Sequence, residues 1–198
     1  MAGSRTIKSL AALVMAMTVG TFVLMVLELE ADPLKAPADH LAAASASGDD
    51  ARDVILRTGV PLQPMKWRNV IVHASASAGG PLARGCHFVI GQHPGADGCY
   101  VTATQRWKQQ DDGQHASMQG YDYNRNSIGI CLMGDFSSRP PGRDQFDAAV
   151  ALVRQLRRQF AMPSDRVYLA HQLPLGDKSP GNAFPAGLFE YLVKAPLR

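Results

Sequence analysis

Residues 126–136 read NSIGICLMGDF. The apolar run inside them, 127–133, is bounded by Asn126 and Gly134 and reads as a strand with a buried face. Working outward, the short apolar runs 70–73, 87–90 and 100–104 read the same way, and the Gly- and Pro-rich stretch 91–98 (GQHPGADG) reads as a hairpin loop. Downstream, 144–160 (DQFDAAVALVRQLRRQF) carries apolar residues at 146, 149, 150, 153, 156 and 160, the spacing of one helical face. Arg154, Arg157 and Arg158 then fall on the opposite face and read as solvated. A turn at 162–165, a strand over 167–170 ending at His171, and a short closing helix over 184–193 complete the pattern. Strands, a long amphipathic helix and a further strand predict an α/β fold, a mixed central β-sheet flanked by helices.

The chain has 198 residues, 19% charged and 46% hydrophobic, which excludes a disordered chain and a fibrous repeat. Its net charge of +3 comes with no Lys/Arg stripe interleaved with aromatics, so no nucleic-acid partner is expected. Residues 9–27 (SLAALVMAMTVGTFVLMVL) hold no charge, follow Arg5 and Lys8, and precede Glu28 and Glu30. The run is long enough to span a bilayer and too long for a usual signal-peptide core. It reads as an N-terminal transmembrane helix within an anchor over 1–31, with the positive flank inside and the remainder facing the periplasm or cell exterior. Residues 32–52, rich in Ala, Ser, Asp and Pro, read as a flexible linker in which His40 is solvated. Residues 53–198 form a single folded domain.

Three cysteines are an odd number and indicate no disulfide framework. Cys131, inside the central apolar run, reads as a small core residue. Cys86 and Cys99 are free to pair, and the sequence does not decide whether they do.

Two histidines end predicted strands, His73 in VIVHAS and His171 in YLAHQ. Imidazoles at the ends of adjacent strands suit a zinc ion in a cleft above the sheet. Around them stand WRNVIVHASAS, CHFVI, QRWKQQDDGQHAS, NRNSIGICLMGDF and LAHQLPLGDKSPGNAFP. In order and spacing these resemble the type 2 N-acetylmuramoyl-L-alanine amidases and peptidoglycan recognition proteins, over roughly residues 66–192. The resemblance implies a zinc ion held by His73, His171 and the residue at 179, activating water to cleave the lactyl–L-alanine amide of peptidoglycan.

The resemblance fails at the positions that matter most for this chemistry. Ser179 stands where the family has Cys or Asp, and a neutral hydroxyl is outside the usual zinc ligand set. Zinc is therefore expected to bind weakly or not at all, unless Asp177 bends in to supply a carboxylate. Cys86 occupies the place of the Tyr that stabilises the oxyanion in the family. Asp177 stands where several members carry Lys or Thr, and an anion there would repel the developing oxyanion. His115, in GQHAS, matches a segment that lines the family's muropeptide groove, and Asn126 and Arg106 are further candidates for ligand contact. His87 is expected to be a hydrogen-bonding core residue and His93 a solvated one. Trp67 and Trp107 suit either sugar stacking or burial.

The resemblance thus implies a membrane-anchored domain that recognises peptidoglycan or muropeptide fragments with impaired or no hydrolysis. An active zinc amidase using His73, His171 and Asp177 is the alternative, and a purely structural use of the fold is the third reading.

Overall fold

The structure, a computed structural model, describes residues 37–76, 80–118, 121–174 and 178–197. The expected anchor over 1–31 lies outside them, as does Asp177. Among the described residues no helix is long and apolar enough to cross a membrane.

The elements run α1 (Pro37–Ala46), α2 (Gly48–Leu56), β1 (Asn69–Ser75), α3 (Pro81–Gly85), β2 (Phe88–Ile90), β3 (Val101–Ala103) and α4 (Gln105–Gln109). They continue with β4 (Ser117–Met118), β5 (Tyr121–Asp122), α5 (Tyr123–Asn126), β6 (Ser127–Met133), α6 (Arg143–Gln159), β7 (Val167–Leu169) and α7 (Ala186–Lys194). The main sheet has the order β3-β2-β6-β1-β7, with β3 antiparallel to β2 and the other neighbours parallel. This is the mixed sheet flanked by helices that the strand and helix patterns predict.

The run 127–133 becomes the middle strand, buried along its whole length. A parallel strand with neighbours on both sides and cover on both faces has no solvent side to display, hence its unbroken apolar character. Strands β1 and β6 pair in register, Ile71 with Gly129 and His73 with Cys131. Side chains alternate across a strand, so Ile71, His73 and Ser75 share one face with Gly129, Cys131 and Met133. On this face Ile71 packs with Ala116, Ala170 and Leu173. Val70, Val72, Ile128, Ile130 and Leu132 are fully buried on the other. Helix α6 packs on β2 and β3, with Phe146, Ala149, Val150, Val153 and Leu156 buried as their spacing requires.

Three expectations need correction. From Pro37 onward the supposed linker is helical, α1 and α2 both packing on α6. His40 is fully buried there, its Nδ1 on Asp147 Oδ1 and its ring edge-on to that of Phe146, with the ring centroids 5.3 Å apart. Alanines permit this close approach without producing an apolar stripe. Second, Arg154 and Arg157 are buried rather than solvated. Arg154 donates to the carbonyls of Leu192 (2.7 Å), Ala195 (3.1 Å) and Pro196 (2.9 Å), and Arg157 to those of Met162 and Val193. Apart from that of Met162, which follows α6, these are carbonyls at and just past the end of α7. Third, Cys86 is bridged to Cys131, with Cα atoms 6.0 Å apart, and Cys99 is free. Cys131 points from β6 to the face crossed by α3, where its Sγ lies 3.6 Å from the Leu82 carbonyl oxygen.

Candidate functional site

Of the candidate residues, His73 lies toward the C-terminal end of β1 and His171 follows β7. His73 is 1% exposed on β1. After β7 the chain turns through a short 3-10 segment that carries His171 on the surface. Ser179 ties His171 to the backbone just after His73. Its Oγ accepts the Ala74 N–H at 2.5 Å, and its carbonyl accepts both the backbone N–H and the Nδ1–H of His171, at 2.8 and 3.1 Å. With Nδ1 donating, the lone pair of the neutral ring is on Nε2, the orientation a carbonyl partner gives a metal-ligating imidazole. Gly181, just beyond, has φ +119°, and a Cβ there would sit 2.5 Å from the Phe136 carbonyl oxygen, so the Pro-Gly step requires glycine. His171, Lys178, Gly181, Asn182 and Phe184 line a cleft of about 370 Å³.

His115 does not line that cleft. It is 7% exposed, with its Nδ1 3.2 Å from His73 Nε2. Its backbone N–H and that of Ala116 both donate to Asn124 Oδ1, at 2.9 Å each. The ring lies flat against two glycines, since a Cβ at Gly129 would fall 2.3 Å, and at Gly113 2.4 Å, from His115 Cδ2. Burial, then the neighbouring His73 and His87, hold its pKa well below the ordinary histidine value. His87 is a core residue as expected. Its Nδ1 accepts the Gly129 N–H at 2.9 Å, so its Nε2–H donates to the Asp111 carbonyl at 3.0 Å, and burial lowers its pKa to about 4.

The other candidates have structural partners. Arg106 donates from Nε to the Arg84 carbonyl at 2.9 Å and from Nη1 to that of Asp112 at 2.7 Å, beside a cavity of about 720 Å³. Asn126 Oδ1 accepts from Asn69 Nδ2 at 3.3 Å. Trp67 and Trp107 are buried, their indole N–H groups bonded to Gln110 Oε1 and the Ile55 carbonyl, which leaves neither available for stacking on a sugar. Cys86, bridged, has no thiol to offer an oxyanion. Asn124 is the organiser that sequence reasoning passed over. The only local signal for it is Asp122 two residues earlier, whose Oδ1 accepts the Asn124 N–H at 3.1 Å.

The described donors do not by themselves suit zinc. They are two imidazoles and a neutral hydroxyl already accepting a backbone bond, and among the described residues no three His, Cys, Asp or Glu side chains converge on one point. Asp177, the loop's candidate anion, lies outside those residues.

The family model described as N-acetylmuramoyl-L-alanine amidase matches residues 58–182. The chain belongs to this family. It is also 35% identical over 63 residues to peptidoglycan-recognition protein SD of Drosophila melanogaster, a match that spans 32% of this chain and about a third (34%) of that relative. Among solved structures it is similar to the endolysin N-acetylmuramoyl-L-alanine amidase LysCS of Clostridium intestinale URNW. That likeness has a TM-score of 0.52 and 20% identity, and covers 70% of this chain and 91% of that one. AmpD gives a TM-score of 0.51 at 18% identity, covering 66% of this chain and 86% of its own. At these identities the two structures speak for the fold.

Proposed function

We propose that this member of the amidase family recognises muropeptide fragments of peptidoglycan and has lost most or all of its hydrolytic power. The observation that carries the reading is Ser179, whose Oγ accepts the Ala74 N–H and brings no negative charge to the place between His73 and His171. Two neutral imidazoles and an alcohol bind a divalent cation far less well than a set with a thiolate or carboxylate. The Cys86–Cys131 bridge supports the same reading, because the tyrosine hydroxyl position of the family is filled by a sulfur with no proton to donate. The cleft beside His171, with Lys178 and Asn182 on its wall, is the surface assigned to the ligand. The apolar run 9–27 is assigned to hold the domain on a membrane, facing the periplasm or cell exterior.

The test is to incubate the full chain in detergent with a muropeptide, with and without zinc, measuring binding by calorimetry and free stem peptide by mass spectrometry. The reading expects saturable binding and no enzymatic release. Release of stem peptide at an enzymatic rate overturns it.

A second reading, a working zinc amidase, is favoured by one observation. His171 is held by the Ser179 carbonyl in the tautomer a metal ligand needs. In that case Asp177 supplies the missing anion, and hydrolysis disappears in Asp177→Ala while surviving in Ser179→Ala.

A further inference from the structure

We propose that reduction of the Cys86–Cys131 disulfide creates a site for a thiophilic divalent cation, built from the two released thiolates together with His73 and His115. The placement rests on the sheet. His73 and Cys131 are register partners on adjacent parallel strands, on the same face and about 4.8 Å apart in the hydrogen-bonding direction. His115 lies against Gly129, two residues before Cys131 on that same face of β6. Its Nδ1 stands 3.2 Å from His73 Nε2, close to the edge of a tetrahedron whose nitrogen ligands are about 2.0–2.1 Å from the metal. Cys86 is tied to this patch by its bond to Cys131. Two sulfurs and two imidazoles therefore sit over one small area of sheet, a donor set suited to zinc, cadmium or cobalt(II).

In the disulfide form each sulfur is committed to the other, and among the described residues no three candidate ligands converge. Reduction removes that restraint. A dithiol gives the bridge two electrons and two protons and leaves as its own cyclic disulfide. The cation then displaces the two thiol protons to solvent. Both cysteines are buried, and Ala83 and Val89, the latter a register partner of Cys131, line the 720 Å³ cavity on that side of the sheet. The two thiolates supply the negative charge that the His73, His171 and Ser179 set lacks, and the two sets share only His73. The inference does not depend on muropeptide binding.

The experiment uses the full chain carrying Cys99→Ser, so that the only thiols are those of the bridge. The protein is reduced with dithiothreitol, freed of it under argon, and titrated with cobalt(II). The reduced chain is expected to give a stoichiometric thiolate-to-cobalt charge-transfer band with the visible bands of a tetrahedral ion, and the unreduced chain neither. His73→Ala should keep the charge-transfer band and lose the tetrahedral bands. Re-forming the bridge with oxidised glutathione should release the cobalt, a readout that needs no further variant to fold. A reduced chain with no charge-transfer band overturns the proposal, and so does cobalt that stays bound after the bridge has re-formed.

Discussion

At the scale of single residues, the close contacts under the site are set by what glycine leaves out. His115 occupies the space a side chain at 129 would fill, with 2.3 Å between its Cδ2 and the missing Cβ. Gly129→Ala should therefore cost about 2 kcal/mol or more in urea unfolding, the usual penalty of overpacking. Gly187→Ala, where nothing lies within 4 Å, should be neutral or stabilise by up to about 1 kcal/mol. The buried histidines also set an acid limit. His87 titrates near pH 4 when folded and near 6.5 when unfolded, so between those values the unfolded chain binds the extra proton. Its contribution is complete above pH 6.5 and is lost as pH falls toward 4, roughly 3 kcal/mol by linkage. His115, lowered by the same burial, adds in the same direction. Urea midpoints measured from pH 7 to 4 should fall, and more shallowly in His87→Gln. Equal slopes for the two proteins would contradict this.

At the scale of elements, α6 is the support on which α1 and α7 converge. It receives α1 through His40 and Asp147, and binds the end of α7 through Arg154 and Arg157. Arg154→Ala strands three carbonyls at once and should cost about 2–3 kcal/mol, with amide exchange quickening first in Leu192 to Leu197. Protection unchanged in that segment would mean the arginine is only a surface cover. These elements also mark what could be read from the sequence. The strand at 127–133 and the helix at 144–160 were legible because each carries a local period, unbroken for the buried strand and 3.6 for the helix. Helix α1 was not, since its alanines give no stripe and His40 finds its partner 107 positions away. The Cys86–Cys131 bridge and the burial of His115 on His73 are likewise non-local, set by strand register that spacing along the chain does not encode.

At the scale of the molecule, the sheet presents the family's histidines while the loop that should complete them offers an alcohol. Order and spacing of the motifs singled out His73, His171 and Ser179, and in the structure Ser179 bonds to His171 and to the backbone N–H of Ala74, the residue after His73. The substitution at 179 is also the reason recognition without cleavage is the function proposed. The direct test is zinc affinity, by chelator competition at neutral pH with the disulfide intact, for the full chain and its Ser179→Cys variant. A thiolate at 179 should tighten zinc about 100-fold or more, equivalent to about 3 kcal/mol. An unaltered chain that already holds stoichiometric zinc, with no gain from the cysteine, would contradict the account.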